Sequence, residues 1–123
     1  MRVTIPGHKW VSLNGSHGNP RPYQASMNDW IARATVAIRA AKPEPVAAPV
    51  EIVAYVRRTT NALSDAPNVM PSIKACIDAA VRCGVIPDDH DGIVRQTIIR
   101  RGPNAATPTI ELIIRKAAKE AAS

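Results

Sequence analysis

Residues 50–57 read VEIVAYVR and residues 69–83 read VMPSIKACIDAAVRC, and the change of period between them decides the fold. In the first, Val50, Ile52, Ala54 and Val56 alternate with Glu51, Val53, Tyr55 and Arg57, the two-residue period of a strand. In the second, Met70, Ile73, Ile77, Ala80 and Val81 recur at three- and four-residue spacing, the stripe of a helix facing a core. Asn68 is placed to cap that helix, Pro71 falls in its first turn where proline is tolerated, and Gly84 follows its end. The polar stretch Thr59 to Asn68, carrying Asp65, is the loop between them.

Working outward, Val3 to Ile5 forms a short first strand, and Pro6 to Pro22, rich in Gly, Asn, His and Pro, reads as a mobile loop. Gln24 to Ala41 is helical, with Met27, Trp30, Ile31, Ala34, Ile38 and Ala41 on one stripe and Pro43 and Pro45 beyond the end. Ile93 to Arg100 and Thr109 to Arg115 are two β-rich runs joined by RGPNAATP, read as a hairpin, and Lys116 to Ala122 as a fraying tail. The expected fold is therefore α/β (α+β): a single small domain over residues 1–123, with one mixed β-sheet and two covering helices in the order β-α-β-α-β-β.

Composition narrows the function classes. The chain has 123 residues, a net charge of +6 and four aromatic residues with no Phe, so base stacking on aromatic platforms is excluded as the main mode of nucleic-acid recognition. No apolar run reaches the about 18 residues that a membrane span needs, and MRVTIPGHKW lacks the apolar segment of a secretory signal, so a soluble cytoplasmic protein is expected. Cys76 and Cys83 lie two helical turns apart, about 10 Å in rise, too far for a disulfide within a straight helix. A zinc site built from them and His90 fails on spacing and ligand number.

In this basic chain the conspicuous acids gather around the second helix. Asp65 precedes it, Asp88, Asp89 and Asp91 follow it, and Lys74 and Asp78 stand four apart on one helical face, with Arg82 one turn further on. Each feature has an ordinary explanation: a solvated ion-pair ladder for Lys74, Asp78 and Arg82, and an exposed turn for Asp88-Asp89-His90-Asp91-Gly92. The latter is not an EF-hand loop, because the later ligands are missing. Together, carboxylates at two chain positions, a lysine between them and a cationic remainder suit a divalent-metal site that works on a polyanion.

From Arg57 to Val94 the sequence resembles the RusA-like Holliday junction resolvases, small endodeoxyribonucleases common in phages and prophages. The matching features are the basic pair Arg57-Arg58, the loop with Asp65 and Asn68, Lys74 followed by Asp78, then Gly84-Val85-Ile86 leading into Asp88-Asp89 before Ile93-Val94. The founding members carry Asp-x-Asp-Asn close before the lysine; here the loop reads Asp65-Ala66-Pro67-Asn68, one carboxylate short.

The resemblance implies a homodimeric, metal-dependent nuclease that cleaves branched DNA, in particular four-way junctions, by phosphodiester hydrolysis in a bacterial or phage-infected cell. Mg²⁺, for which Mn²⁺ can substitute, would be held by Asp65, Asp88 and Asp89, with Asn68, Asp78 or Asp91 replacing the missing acid. Asp65, Lys74 and Asp89 are the expected catalytic residues, Lys74 contacting the scissile phosphate. DNA contacts are expected from Lys9, Arg21, Arg57, Arg58, Arg100 and Arg101, supported by Arg95, Arg115 and Lys116 at strand ends. His90 is a candidate base or ligand, while His8 and His17 read as polar loop residues. The competing reading is a non-catalytic DNA-binding protein whose acid cluster is a structural turn.

Overall fold

The computed structural model describes residues 1–11, 20–59 and 68–118, and the side chains among them except those of residues 20–22. Its elements run β1 (Arg2–Pro6), α1 (Pro20–Ala41), β2 (Val50–Arg57), α2 (Met70–Arg82), β3 (Val94–Arg101) and β4 (Thr109–Lys116). The four strands form one mixed sheet in the order β1-β4-β2-β3. The domain is thus a small α+β unit with the expected order β-α-β-α-β-β.

The strand order overturns the expected hairpin. β3 and β4 are not neighbours: β3 runs parallel to β2, and β4 lies antiparallel to both β2 and β1. The reason is visible in burial. Ile110, Leu112 and Ile114 of β4 are fully buried on one face, and Thr109 and Glu111 are buried on the other, as befits a central strand. β3 is largely exposed, with Ile99 at 42%, and fits only an edge. Its arginines and the terminal Pro6 of β1 blunt the two free edges against further pairing. β2, α2 and β3 form a βαβ crossover, the connection parallel strands require.

The core lies between the helices and one face of the sheet. Val3 and Ile5, Val50, Ile52, Ala54 and Val56, and Ile110, Leu112 and Ile114 meet Trp30, Ala34 and Ile38 of α1 and Ile73, Cys76 and Ala80 of α2. On α1 the stripe stops short of Ala41, which is exposed, and on α2 Met70 is likewise 37% exposed. α2 begins with Asn68 Oδ1 accepting the Met70 N–H at 3.1 Å. It ends with Gly84 at φ 78°, where the Gly84 N–H donates to Val81 O and the Val85 N–H to Ala80 O, a paired closure that needs the left-handed conformation glycine supplies. Cys76 is buried and Cys83 half-buried, both as free thiols, and burial pushes the Cys76 thiol up to about 12.

Two expectations about loops are also corrected. Residues 7–11 are fastened rather than mobile: the Gly7 N–H donates to Pro108 O, Trp30 Nε1 donates to Lys9 O at 2.8 Å, and the Val11 N–H donates to Ser72 Oγ at 3.1 Å. Trp10 stacks on Trp30 with centroids 5.5 Å apart, and α1 starts already at Pro20. Lys116 belongs to β4, and the Ala117 N–H donates to Pro49 O at 2.9 Å. The remaining parts of those expectations, at 12–19 and 119–122, fall outside the described residues. No helix among the described residues is long and apolar enough to cross a membrane.

Gly7 passes directly over the six-membered ring of the fully buried Trp30, leaving no room for a Cβ. Gly7→Ala should therefore lower stability by about 1–3 kcal/mol through overpacking, read as a lower midpoint in thermal and urea unfolding.

Candidate metal centre and nucleic-acid interface

α2 is covered so broadly that Ser72, Ile73, Ala75, Cys76, Ile77, Ala79 and Ala80 are all buried. What remains toward solvent is the row Met70, Lys74, Asp78 and Arg82, the i, i+4 succession of one helical face. In that row Asp78 pairs with Arg82, Oδ2 to Nε at 3.0 Å. Lys74 is exposed and makes no hydrogen bond or ion pair with any described residue. The expected ladder is thus one pair long and leaves out the lysine.

Beyond α2 the segment 88–92 is a hydrogen-bonded turn. The Asp89 N–H donates to Asp88 Oδ1 at 2.7 Å and the Gly92 N–H to His90 Nδ1 at 3.1 Å; the Ile93 and Val94 N–H groups both donate to His90 O. The Val50 N–H donates to Ile93 O at 2.7 Å and ties this turn to the start of β2. Asp88, Asp89, His90 and Asp91 are all exposed. His90 Nδ1 is occupied by the turn, so only its other ring nitrogen is open to a proton or a ligand.

Asp65 lies outside the described residues. Asn68, three positions on, stands at the N-terminal end of α2, opposite the Asp88-Asp89 turn. The 13 residues of α2 separate those ends by about 18 Å, and Lys74 projects between them. Among the described residues, which leave out Asp65, no three His, Cys, Asp or Glu side chains converge on a metal position.

The expected DNA-binding residues divide by environment. Lys9, Arg100 and Lys116 are exposed, and the Arg21 side chain falls outside the described ones. Arg101 Nη2 donates to Asn104 Oδ1 at 3.2 Å, Arg95 Nη1 to Ala118 O at 2.9 Å, and Arg115 pairs with Glu51 Oε1 at 2.8 Å. Hydrogen bonds from Gln96 and Arg115 hold the Glu51 carboxyl below its usual range. Arg57 Nη2 donates to Glu111 Oε2 at 2.9 Å, while Arg57 Nε and Arg58 Nη1 are buried without any partner. An orphaned buried donor costs about 1–3 kcal/mol.

Glu111, absent from the sequence-derived candidates, is the acid most deeply placed among the described residues: it is 6% exposed and also pairs with Arg2. The available signal was a lone acid inside the apolar run TIELIIRK, but its partners depend on strand register, which that run does not reveal. A groove of about 520 Å³ lined by Pro6, Asp29, Ala32, Arg33, Val36 and Ala37 lies on α1 and contains none of the candidate residues. Neither a protein-family model nor a curated protein matches the chain.

Because Lys74 pairs with no described charge and is exposed, Lys74→Ala should leave stability within about 0.5 kcal/mol of the parent. Asp78→Asn should cost no more than about 0.5 kcal/mol as the exposed helical pair disappears. Urea unfolding of both variants checks this.

Proposed function

We propose that the protein is a metal-dependent endodeoxyribonuclease acting on branched DNA, with four-way junctions as substrate, as a homodimer. The observation that carries the reading is Lys74: a cation free of any described partner, on the one solvent-facing row of α2, between two acid-bearing chain segments. A structural lysine on that face has Asp78 within reach, yet Asp78 is engaged by Arg82. The sequence resemblance supplies the reaction class.

The donor set suits the ion. Asp88, Asp89 and Asp91 present carboxylate oxygens, and no described cation pairs with them; hard oxygen ligands of this kind favour Mg²⁺ or Mn²⁺ over zinc. When bound, such an ion lowers the pKa of water and offsets charge developing at phosphorus. Asp89 and Asp88, with Asp65, would hold it, and Asn68, Asp78 or Asp91 would complete the ligands. Lys74 would contact a non-bridging oxygen of the scissile phosphate, where its fixed charge favours the transition state. The exposed arginines at the strand ends would bind flanking phosphates, making affinity strongly salt-dependent.

The placement of the acids bears on the dimer. The rise of α2 sets Asn68 and the Asp88-Asp89 turn about 18 Å apart, so one ion can be shared by Asp65 and Asp89 only where the 65–68 segment folds back along α2 or where a second copy supplies one of the two. A second copy whose α2 runs in the opposite sense brings the 65–68 segment of one chain beside the 88–91 turn of the other. In this reading the metal is held between subunits.

A non-catalytic DNA-binding protein is the second reading, favoured by the hydrogen bonds with which Asp88 and His90 close their own turn. A synthetic four-way junction separates the two. Nicking that requires Mg²⁺ or Mn²⁺, is abolished in Asp89→Asn and Lys74→Ala, and leaves junction binding intact supports the nuclease; binding without cleavage under either metal supports the alternative. Millimolar Mg²⁺ should also raise the thermal midpoint of the parent, and less so that of Asp89→Asn.

Subunit sharing has its own test. Asp65→Asn and Asp89→Asn chains, each inactive alone, should regain nicking when mixed and allowed to exchange subunits; a mixture that stays inactive assigns both ligands to one chain.

A further inference from the structure

The sheet face turned away from the helices carries a second arrangement of charge, apart from the α2 row. Strand register puts Thr4, Glu111, Tyr55 and Arg100 in one row across β1, β4, β2 and β3. Arg2, paired with Ile113, and Arg57, paired with Thr109, flank that row on opposite sides. Both reach diagonally to the Glu111 carboxylate, Arg57 Nη2 at 2.9 Å from Oε2 and Arg2 on Oε1. One buried acid thus holds two arginines, and Arg100 stands in the same row beyond Tyr55, an excess of two positive charges along that face.

The patch is rigid where it matters. The Glu111 side chain is 8% exposed, so its orientation is set by packing, and it fixes the guanidinium planes of its two partners. Gly102 lies close over the Arg57 stem, where a Cβ would stand 3.1 Å from Cγ. Arg57 is still 32% exposed, and its Nη1 makes no hydrogen bond with any described residue. Arg2 remains 69% exposed, and Arg100 is exposed with no described partner. Glu111 takes Nε and Nη2 of Arg2 and Nη2 of Arg57, so each guanidinium has its remaining Nη1 for a single charge-assisted hydrogen bond to a phosphate oxygen, and little ordering is left to be done on binding.

We propose that Glu111 is a positioning residue that sets Arg57 and Arg2, with Arg100 beside them, as a phosphate-binding surface for the nucleic-acid backbone on the open face of the sheet. This rests on the DNA-binding part of the proposed function, not on the nuclease chemistry. Arg57 stands at the end of β2, where the chain leaves toward the Asp65 segment.

The test is the salt dependence of binding to a fluorescent four-way junction, measured by anisotropy with metal chelated so that no cleavage intervenes. Glu111→Gln raises the net charge of the chain, and a merely structural role predicts a log K against log salt slope that is unchanged or steeper. Positioning predicts the opposite: a slope shallower by roughly one for each phosphate that the arginines no longer neutralise. Arg100→Ala, at an exposed position, should reduce the slope by about one with the fold intact, and it decides the matter if Glu111→Gln proves unfolded by circular dichroism.

Parent-like slopes in folded Glu111→Gln and in Arg100→Ala would overturn the inference while leaving the proposed function standing. So would a shift in sedimentation showing that Glu111→Gln alters the oligomer, because the face would then be covered by a second copy. A parent that does not bind junction DNA overturns both proposals. Binding with the expected slope changes but no nicking under either metal overturns the nuclease alone.

Discussion

Everything in this domain depends on β4 lying between β1 and β2. Its residues Ile110, Leu112 and Ile114 are wholly buried against the helices, and its backbone satisfies both neighbours at once, pairing with Arg2 to Pro6 on one side and Val50 to Arg57 on the other. A strand buried on both sides must fill its hydrogen bonds within the sheet, because an unpaired buried amide is costly. The last strand of the chain therefore closes the first onto the middle, and the Met1 ammonium donates to Ile114 O at 2.8 Å. The two remaining strand edges belong to the short β1 and to the arginine-bearing β3, which resist further pairing.

That insertion also distributes the chemistry. With the described helices on one face, the acid that β4 carries on the other, Glu111, is enclosed by arginines from β1 and β2. On the helical face, α2 is wedged so deeply that its exposed side chains, Met70, Lys74 and Arg82, lie in one row with the half-buried Asp78. Any ligand of α2 is read through those side chains and through the segments at its two ends. A 13-residue helix is long on the scale of a metal's ligand sphere, so the acids flanking it meet only across a distance that the chain itself must close or a second subunit must span.

Much of the fold is legible in the sequence because the signals are local. The alternation of VEIVAYVR, the three- and four-residue stripe of VMPSIKACIDAAVRC from Ile73 on, and the Gly84 closure each depend on neighbours a turn or a strand away and stand as read, whereas Met70 at the head of that stripe is exposed. The hairpin fails for the complementary reason: Ile93–Arg100 and Thr109–Arg115 are adjacent in sequence with a turn-rich link, but strand pairing is decided by which apolar faces must be buried together. Residues 7–11 look mobile on composition, whereas Gly7, Lys9 and Val11 owe their order to Pro108, Trp30 and Ser72, which are remote in the chain. Glu111 shows only as a lone acid in an apolar run, a signal that acquires meaning through its cross-strand partners.

By itself, then, the sequence determined the element order, the faces of α2 and β2, the basic character of the surface and the grouping of acids around Lys74, because periodicity and charge are written residue by residue. Only the tertiary structure decided that β4 is central, that the Asp88-Asp89 turn stands at the far end of α2 from Asn68, and that Glu111 gathers Arg2 and Arg57. Those are facts of register and of long-range packing, in which residues more than fifty positions apart, such as Arg57 and Glu111, come within a hydrogen bond of each other.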